Sequence, residues 1–477
     1  MTTGPEGPAL KLTARWVAGA MDAGVVGGDP SQEFHGVSID TRTLKPGDLF
    51  IAIRGERFDG VEFAESAIER GAGGVVVPRG WTAHGRGTPV SIGRGVVLEV
   101  DDTTVALQAL GGAVRRESGT KVVAITGSAG KTTTKEVAAE LLAARYRVVR
   151  NRGNLNNHIG LPLSLVELRQ RPEIAVVELG MNHPGEISTL VRIADPDVRV
   201  WTNVGEAHLG FFASLDAIAD AKAEIFEAAS ATTVLVANAD DDRIVARLPS
   251  FAGRAITFGI DRDADVRASA IVDRGIDGTS ARVTTPRGSV ELTTPLVGRG
   301  NLANILAATA VAEEFGVTLE TIAELAGTLR PSAHRGEIVR LPSGITIIDD
   351  SYNANPTAMK RAIEVLTGTS AGRRIAVLGE MLELGDRASE LHAAVGRAAA
   401  AAQIDLLLAV GGAPAAALAD AAVAAGLPRQ AVRHFATSAE AAEAAVAMTT
   451  AGDLVLVKGS RGVRTDVVVD RLKAERG

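Results

Sequence analysis

Along most of the chain, short apolar runs alternate with stretches whose apolar residues recur at helical spacing. That alternation predicts βα units and mostly parallel sheets. Strands are expected at Leu49–Ile53, Gly74–Val77, Val122–Ile125, Ile174–Leu179, Val198–Thr202 and Val234–Asn238. Helices are expected at Val61–Arg70, from Glu99 to Arg116, and at Leu319–Leu329. From Ala255 to Leu296 the pattern shifts to period two, which predicts an antiparallel appendage. The last third returns to strand and helix: Ile345–Ile348, Pro356–Leu366, Ile375–Leu378, Leu406–Val410, Leu454–Val457 and a closing helix. Pro78–Gly95 is polar and glycine-rich and reads as a loop or linker. At Arg330-Pro331 a proline resets the backbone after a helix. These breaks predict domains at 1–98, 99–330 and 331–477, and a length of 477 residues fits three domains of ordinary size, with two as the alternative.

Composition narrows the chemistry. There is no cysteine, which excludes disulfides, Cys-zinc sites, iron–sulfur clusters and thiol nucleophiles. The net charge is −7, with three Trp, two Tyr and eleven Phe, so neither a phosphate backbone nor stacked bases are the expected partner. Hydrophobic residues make up 46%, enough for sizeable cores. No apolar run is long enough to span a bilayer, and Met1–Met21 lacks a basic stretch leading into an apolar one. A cytoplasmic monomer is the expectation. Glycine, at 52 residues, is in excess, and glycine is favoured where backbone turns tightly or meets a ligand.

The sharpest local signal is an apolar strand running into Thr126-Gly127-Ser128-Ala129-Gly130-Lys131-Thr132-Thr133 and then a helix. Glycines let backbone N–H groups turn toward a phosphate, and the helix N-terminus adds partial positive charge. Lys131 can reach terminal phosphates and the Thr132 hydroxyl can bind Mg²⁺. Ile125 stands where the longer G-x-x-x-x-G-K-[ST] loop has its first glycine, so this is a shortened relative of it. The fold class that follows is α/β. A small N-terminal α/β domain precedes a central P-loop-type sheet, mostly parallel with helices on both faces, and a Rossmann-like C-terminal domain.

Further candidates sit at strand ends, where open α/β sheets place ligands. Glu178 closes Ile174–Glu178 and can hold Mg²⁺ directly or through water. His208 follows the strand ending at Thr202 and is read as a metal ligand or a support for one. Lys222 falls on the apolar stripe Leu215, Ile218, Ile225 and Ala229. A lysine there must snorkel, be paired, or be carbamylated by CO₂ into a carboxylate-like metal ligand. Asp349, Asp350, Tyr352 and Asn353 offer donors and acceptors to a ribose, a phosphate or a substrate, or else form a capped turn. Lys458 and Arg461 close another strand and can hold a carboxylate.

Taken with Ser38-Ile-Asp-Thr-Arg42, Pro46-Gly-Asp-Leu-Phe50, Gly55-Glu-Arg-Phe-Asp-Gly60, Gly153-Asn-Leu-Asn-Asn157, Ala221-Lys-Ala-Glu-Ile-Phe226 and Asp349-Asp-Ser-Tyr-Asn-Ala-Asn355, these features resemble the Mur ligase family over nearly the whole chain. The resemblance implies an ATP-dependent, ADP-forming ligase of peptidoglycan precursor synthesis. The Gly-Asn-Leu-Asn-Asn and Asp-Asp-Ser-Tyr-Asn segments imply that it joins D-alanyl-D-alanine to a UDP-N-acetylmuramoyl-tripeptide through an acyl phosphate. By the same resemblance, Ser38, Asp40, Arg42, Arg57, Phe58 and Asp59 contact the UDP moiety, and Asn154, Asn156 and Asn157 face the muramyl peptide. Lys131, Thr132, Glu178, His208 and a carbamylated Lys222 surround the phosphates and one or two Mg²⁺ ions. Asn301 and Asn304 lie near adenine, Arg335 and Asp350 reach ribose and phosphates, and Tyr352, Asn353, Lys458 and Arg461 serve the dipeptide and the third domain. One departure is clear: Gly300 stands where the family usually has histidine. The competing readings are a Mur-type ligase adding a single amino acid, a folylpolyglutamate-synthetase-like ligase, and a nucleotide switch or mechanical NTPase.

Overall fold

A computed structural model of the chain describes residues 7–55, 58–82, 95–151, 153–207 and 209–477. Arg57 and His208 therefore lie outside the described residues. The described residues form two compact units. One takes those of Met1–Ala124, Tyr146–Arg199 and Glu224–Thr233; the other those of Ile125–Arg145, Val200–Ala223 and Val234–Gly477. No described helix is long and apolar enough to cross a membrane.

The strands are β1 (Leu12–Thr13), β2 (Gly24–Gly27), β3 (Glu33–Phe34), β4 (Val37–Ser38), β5 (Leu49–Ile51), β6 (Gly74–Pro78) and β7 (Val96–Val100) in the first stretch. A small antiparallel ribbon joins β1 to β3, and a five-stranded sheet runs β2-β7-β6-β5-β4. In that sheet only β2 is antiparallel to its neighbour. β7 is buried along its length and β6 all but so, the near-continuous apolar pattern of parallel strands covered on both faces. Phe50, Ala64, Ala67, Val75, Val77, Trp81 and Val97 make the core on one side. Glu99 belongs to β7 and does not start a helix; its carboxylate accepts from the N–H groups of Gly80 (3.1 Å) and Thr82 (3.0 Å). The helix begins at Thr103, because the Asp102 side chain accepts from Thr104 and Val105 and caps it there.

A nine-stranded sheet follows. Its members are β8 (Lys121–Thr126), β9 (Val148–Arg150), β10 (Ile174–Glu178), β11 (Val198–Trp201), β12 (Val234–Asn238), β13 (Arg254–Gly259), β14 (Val266–Asp273), β15 (Thr279–Thr285) and β16 (Gly288–Thr294). The order is β16-β15-β14-β13-β12-β11-β8-β10-β9. The expected antiparallel appendage is only partly so: β13 is parallel to β12 and β14 to β13, and antiparallel pairing starts at β14–β15. The period-two pattern is real, but it arises because β15 and β16 bury one face each, not because the segment leaves the sheet.

The third sheet comprises β17 (Glu337–Arg340), β18 (Thr346–Asp350), β19 (Arg373–Gly379), β20 (Leu406–Val410), β21 (Val432–Phe435) and β22 (Asp453–Lys458), in the order β17-β18-β22-β19-β20-β21. Every pairing is parallel except β17–β18. One face of this sheet packs Ile347, Ile375, Val377, Leu408, Val455 and Val457 against Val468, Val469 and Leu472 of the closing helix.

The helix Gly298–Glu314 has no counterpart in the sequence reading, and it carries an instructive buried acid. Glu313 is 6% exposed and accepts from the Thr285 hydroxyl at 3.0 Å. Burial pushes its carboxyl above the usual range, against the smaller opposing pull of Thr285 and Arg287. A raised carboxyl stabilises the fold below its ordinary value and loses that contribution as pH rises through the raised one. Glu313→Gln should therefore raise Tm by about 1–3 °C at pH 7.5. Near pH 4, below the ordinary value of 4.5, the gain should vanish; paired thermal melts at the two pH values check this.

Candidate active site

The phosphate loop forms where β8 ends. Gly127 and Gly130 have φ of +147° and +82°, conformations that a side chain strains. Gly130 then serves as N-cap of the helix Lys131–Ala143, whose first-turn N–H groups face outward from a positive helix end. Nothing in Gly127-Ser-Ala-Gly130 can hold this shape by itself, and the segment 202–205 does so. The Asn203 carboxamide accepts from the Ala129 N–H (2.9 Å) and donates to the Ala129 carbonyl (2.9 Å). The Thr202 hydroxyl donates to the same carbonyl at 2.7 Å. Ser128 Oγ donates to the Gly205 carbonyl (3.1 Å) and accepts from its N–H (2.9 Å). The Lys131 ammonium bends back to the Gly127 carbonyl at 2.8 Å. Thr132 and Thr133 are half-buried on the same first turn.

From the helix Gly298–Glu314, Asn304 accepts from the Thr134 hydroxyl (3.2 Å) through the oxygen that also lies against Gly130. Asn301 accepts from Asn304 Nδ2 (3.3 Å) and donates to the Val297 carbonyl (2.9 Å). Asn301 and Asn304 thus form one linked ladder behind the loop. At Gly300, a Cβ would have the Arg361 side chain 3.6 Å away, so an arginine from the helix Pro356–Gly368 borders the space of the missing histidine. Lys222 lies on the helix Leu215–Ala223 with 2% exposure, on the same buried face as Ile218.

The stretch 334–353 forms a second cluster. Asp349, fully buried, accepts from Ser351 Oγ (2.6 Å) and stands 2.8 Å from His334 Nδ1. Neighbouring Asp350 accepts from the buried ammonium of Lys458 at 2.6 Å, and Lys458 also donates to the Asn353 carbonyl (2.9 Å). The Arg335 guanidinium lies over the Tyr352 ring, 4.1 Å from its centre, and Arg461 approaches the same ring at 5.5 Å. Asn355 caps the following helix through the Ala358 N–H (2.8 Å). Arg335, Asp350, Tyr352, Asn353, Lys458 and Arg461 therefore come together.

In the other unit, Ser38 ends β4 and accepts from the Asp40 N–H at 3.2 Å. Arg42 grips Asp40 with two nitrogens, at 2.9 and 2.6 Å. That guanidinium holds the Asp40 carboxyl below its usual range, and the Arg42 backbone N–H adds to the effect. Phe58 is 70% exposed, an unusual position for a phenylalanine. Asp59 caps the turn Gly60–Phe63. Glu178, 4% exposed, accepts from Asn156 Nδ2 at 2.8 Å, and its own N–H donates to Asn151 (3.1 Å). The Asn157 carboxamide accepts from the Gly160 N–H (2.8 Å) just where the helix Gly160–Val166 starts, while Asn154 is exposed. Arg199, inside β11, donates to the carbonyls of Ile225 and Glu227 just past Lys222, and burial pushes its guanidinium down to about 10.

Asn203, His334 and Asn151 are site residues that the sequence does not single out. Their signal lies in the fold: His334 is recognised only through its pairing with the buried Asp349, which the doubled Asp-Asp at a strand end does announce.

Models of the Mur ligase family match three stretches of the chain. They are its catalytic domain over residues 33–150, its middle domain over 125–312 and its glutamate ligase domain over 334–461. The UDP-N-acetylmuramoyl-tripeptide–D-alanyl-D-alanine ligase of Bacillus subtilis is 36% identical over 443 residues, 92% of this chain and 93% of that protein. The Escherichia coli protein of the same name is 38% identical over 376 residues, 79% of this chain and 81% of its own. Among solved structures, MurF from Acinetobacter baumannii matches with a TM-score of 0.87 at 32% identity, covering 98% of this chain and 100% of that one. MurF ligase from Thermotoga maritima in complex with ADP matches with a TM-score of 0.80 at 28% identity, over 92% and 97% of the two chains. Matched along nearly the full length of such relatives, and with a phosphate loop built as described, the chain belongs to the Mur ligase family.

Proposed function

We propose that this chain joins D-alanyl-D-alanine to a UDP-N-acetylmuramoyl-tripeptide, converting ATP to ADP and phosphate, in cytoplasmic peptidoglycan precursor synthesis. The observation that carries the reading is the loop Gly127–Thr132, shaped from outside by Thr202 and Asn203 with Lys131 folded over it. We assign residues 1–98 to the UDP end, 99–330 to ATP and Mg²⁺, and 331–477 to the parts that complete the ATP and dipeptide site, in a monomer.

In the reaction, the terminal carboxylate of the tripeptide attacks the γ-phosphorus of ATP, and ADP departs. The free amine of D-alanyl-D-alanine then attacks the acyl phosphate. A tetrahedral intermediate collapses, phosphate leaves and the amine proton is lost. Lys131 swings from the Gly127 carbonyl to the transferring phosphoryl group and neutralises the charge gathering there. Asn301, Asn304, Arg335 and Asp350 hold the nucleotide; Lys458, by fixing Asp350 and the Asn353 backbone, sets the loop that carries Tyr352. Ser38, Asp40, Arg42, Arg57, Phe58 and Asp59 hold the UDP end, and an exposed Phe58 suits an apolar contact made only with ligand present. Asn154, Asn156 and Asn157 face the peptide, and Arg461 takes the dipeptide carboxylate.

The donor set fits magnesium bound with a nucleotide. Mg²⁺ bound with a nucleotide takes only one or two protein oxygens beside phosphates and waters, and the Thr132 hydroxyl on a helix's first turn and the Glu178 carboxylate ending β10 are donors of that kind. By the family resemblance, Thr132 and Glu178 would supply such oxygens, His208 would support them, and Lys222 as a carbamate would be a further oxygen donor. Held there, Mg²⁺ would screen phosphate charge.

Phosphate release from ATP tests the reading. Release should require both the UDP-linked tripeptide and D-alanyl-D-alanine. Dependence on a single amino acid would move the chain to another ligase of the family, and release without an amine would make it an NTPase. Lys131→Ala should lower kcat about 10²–10³-fold. Calorimetric affinity for the UDP substrate should stay within about twofold, since uniform binding is untouched. Asn156→Leu removes the donor that orients Glu178 and should raise the Mg²⁺ concentration for half-maximal rate about 10–100-fold, read from a magnesium titration.

A further inference from the structure

His392 has no part in the chemistry above, yet it is completely buried in the helix Ala388–Ala401. Its two ring nitrogens have opposite duties. The Met381 N–H donates to Nε2 at 2.8 Å, so Nε2 carries the lone pair. The proton then belongs on Nδ1, which donates to the Ala388 carbonyl at 2.6 Å. A neutral imidazole in one tautomer therefore pins the segment 380–385, which follows β19, to that helix.

That segment is a junction. The Glu380 carboxylate accepts from the Gly412 N–H (2.8 Å), and its carbonyl from the Ser460 N–H (3.1 Å). The Leu382 N–H donates to Ser460 Oγ at 3.0 Å. The Glu383 carbonyl accepts from the Gly210 N–H at 2.8 Å. Glu383 itself has φ +65°, a left-handed conformation that a side-chain-bearing residue holds only when its surroundings fix it. A Cβ on Gly210 would lie 3.1 Å from both the Glu383 carbonyl and the Gly385 nitrogen, so the two backbones meet without room for a side chain. Ser460 sits between Lys458 and Arg461, and Gly210 lies two residues past His208.

We infer that His392 is a positioning residue for the acceptor dipeptide. Through Met381 it sets the segment 380–385, and through Leu382 and Glu380 that segment sets Ser460 and the adjoining Arg461. The inference rests on the ligase reading above, with Arg461 at the dipeptide carboxylate. Its signature is selective: the acceptor is misplaced while ATP is not, because the loop at 127–132 and the contacts of Asp350 with Lys458 and of Arg335 with Tyr352 do not run through Ser460.

The test uses steady-state kinetics on the full chain with His392→Leu and His392→Gln. Glutamine can still present an acceptor near the position of Nε2; leucine cannot. For His392→Leu the KM for D-alanyl-D-alanine should rise about tenfold or more, with the KM for ATP within about twofold. His392→Gln should recover most of that loss. Should the leucine variant fail to fold, Ser460→Ala cuts the same linkage downstream, at its bond to Leu382, and should raise the dipeptide KM in the same selective way. Equal changes in both KM values, or an unchanged dipeptide KM in a folded variant, would overturn the inference. Wild-type protein that releases phosphate without needing the dipeptide would overturn the ligase reading instead, so the two failures are distinct.

Discussion

A loop that binds phosphate through its backbone must be held in shape by something other than itself. Gly127-Ser-Ala-Gly130 has no long side chain, and its glycines adopt conformations that give the loop freedom it cannot keep alone. One carboxamide resolves this: Asn203 engages both the N–H and the carbonyl of Ala129, with Thr202 on the same carbonyl. Asn238 in turn donates to the Thr202 carbonyl (2.8 Å), and the Val204 N–H to Asp241 (2.7 Å). The loop is thus fixed by the ends of β11 and β12, elements whose own position comes from apolar burial. Preorganisation of this kind lets backbone dipoles face developing charge without reorganising during the reaction.

The same logic explains the concentration of buried charge. Lys222, Lys458, Asp349 and Glu178 are all under 5% exposed. Each isolated charge in such a place is costly, and a hydrophobic core would be simpler to stabilise. Where bonds are visible they tie a loop to a strand end: Lys458 joins Asp350 and the Asn353 carbonyl, Asp349 joins Ser351 and His334, and Glu178 joins Asn156. These bonds contribute direction more than stability. They fix the direction of side chains, as the proposed phosphoryl transfer requires of its site.

Much of this was legible in the sequence, for reasons that are local. The phosphate loop announces itself because strand, glycines, lysine and helix are contiguous, and Lys222 because a charge interrupts an apolar stripe. What was not legible depends on partners far along the chain. The Asn203 clamp lies 74 residues from its target, and the pairing of His334 with Asp349 spans 15. Glu99 misled because an acid after an apolar run resembles a helix start, whereas its carboxylate is satisfied by the backbone of residues 80 and 82. The region 255–296 misled because period two reports which face is buried and says nothing of whether a neighbour is parallel. The helix Gly298–Glu314 escaped because it is buried on nearly every side, which erases the polar stripe that periodicity needs.

The chemistry-bearing residues also share a position that no single motif declares. Ser38 ends β4, Thr126 ends β8, Glu178 ends β10, Asp350 ends β18 and Lys458 ends β22. Loops leaving the carboxyl ends of parallel strands are the free variables of an α/β sheet, since the strands below are committed to the core. A ligation that gathers a nucleotide, a nucleotide-linked peptide and a dipeptide needs more distinct recognition surfaces than one sheet edge offers. Three sheets, each with its own strand-end cluster, would meet that need by repetition under the proposed reading. The five-stranded sheet presents an arginine–aspartate grip, the nine-stranded sheet a phosphate loop and an oriented carboxylate, and the six-stranded sheet a lysine-held aspartate beside a stacked arginine. The glycine excess follows in part, because each cluster includes a loop whose backbone must pass close to another chain segment or reach a ligand.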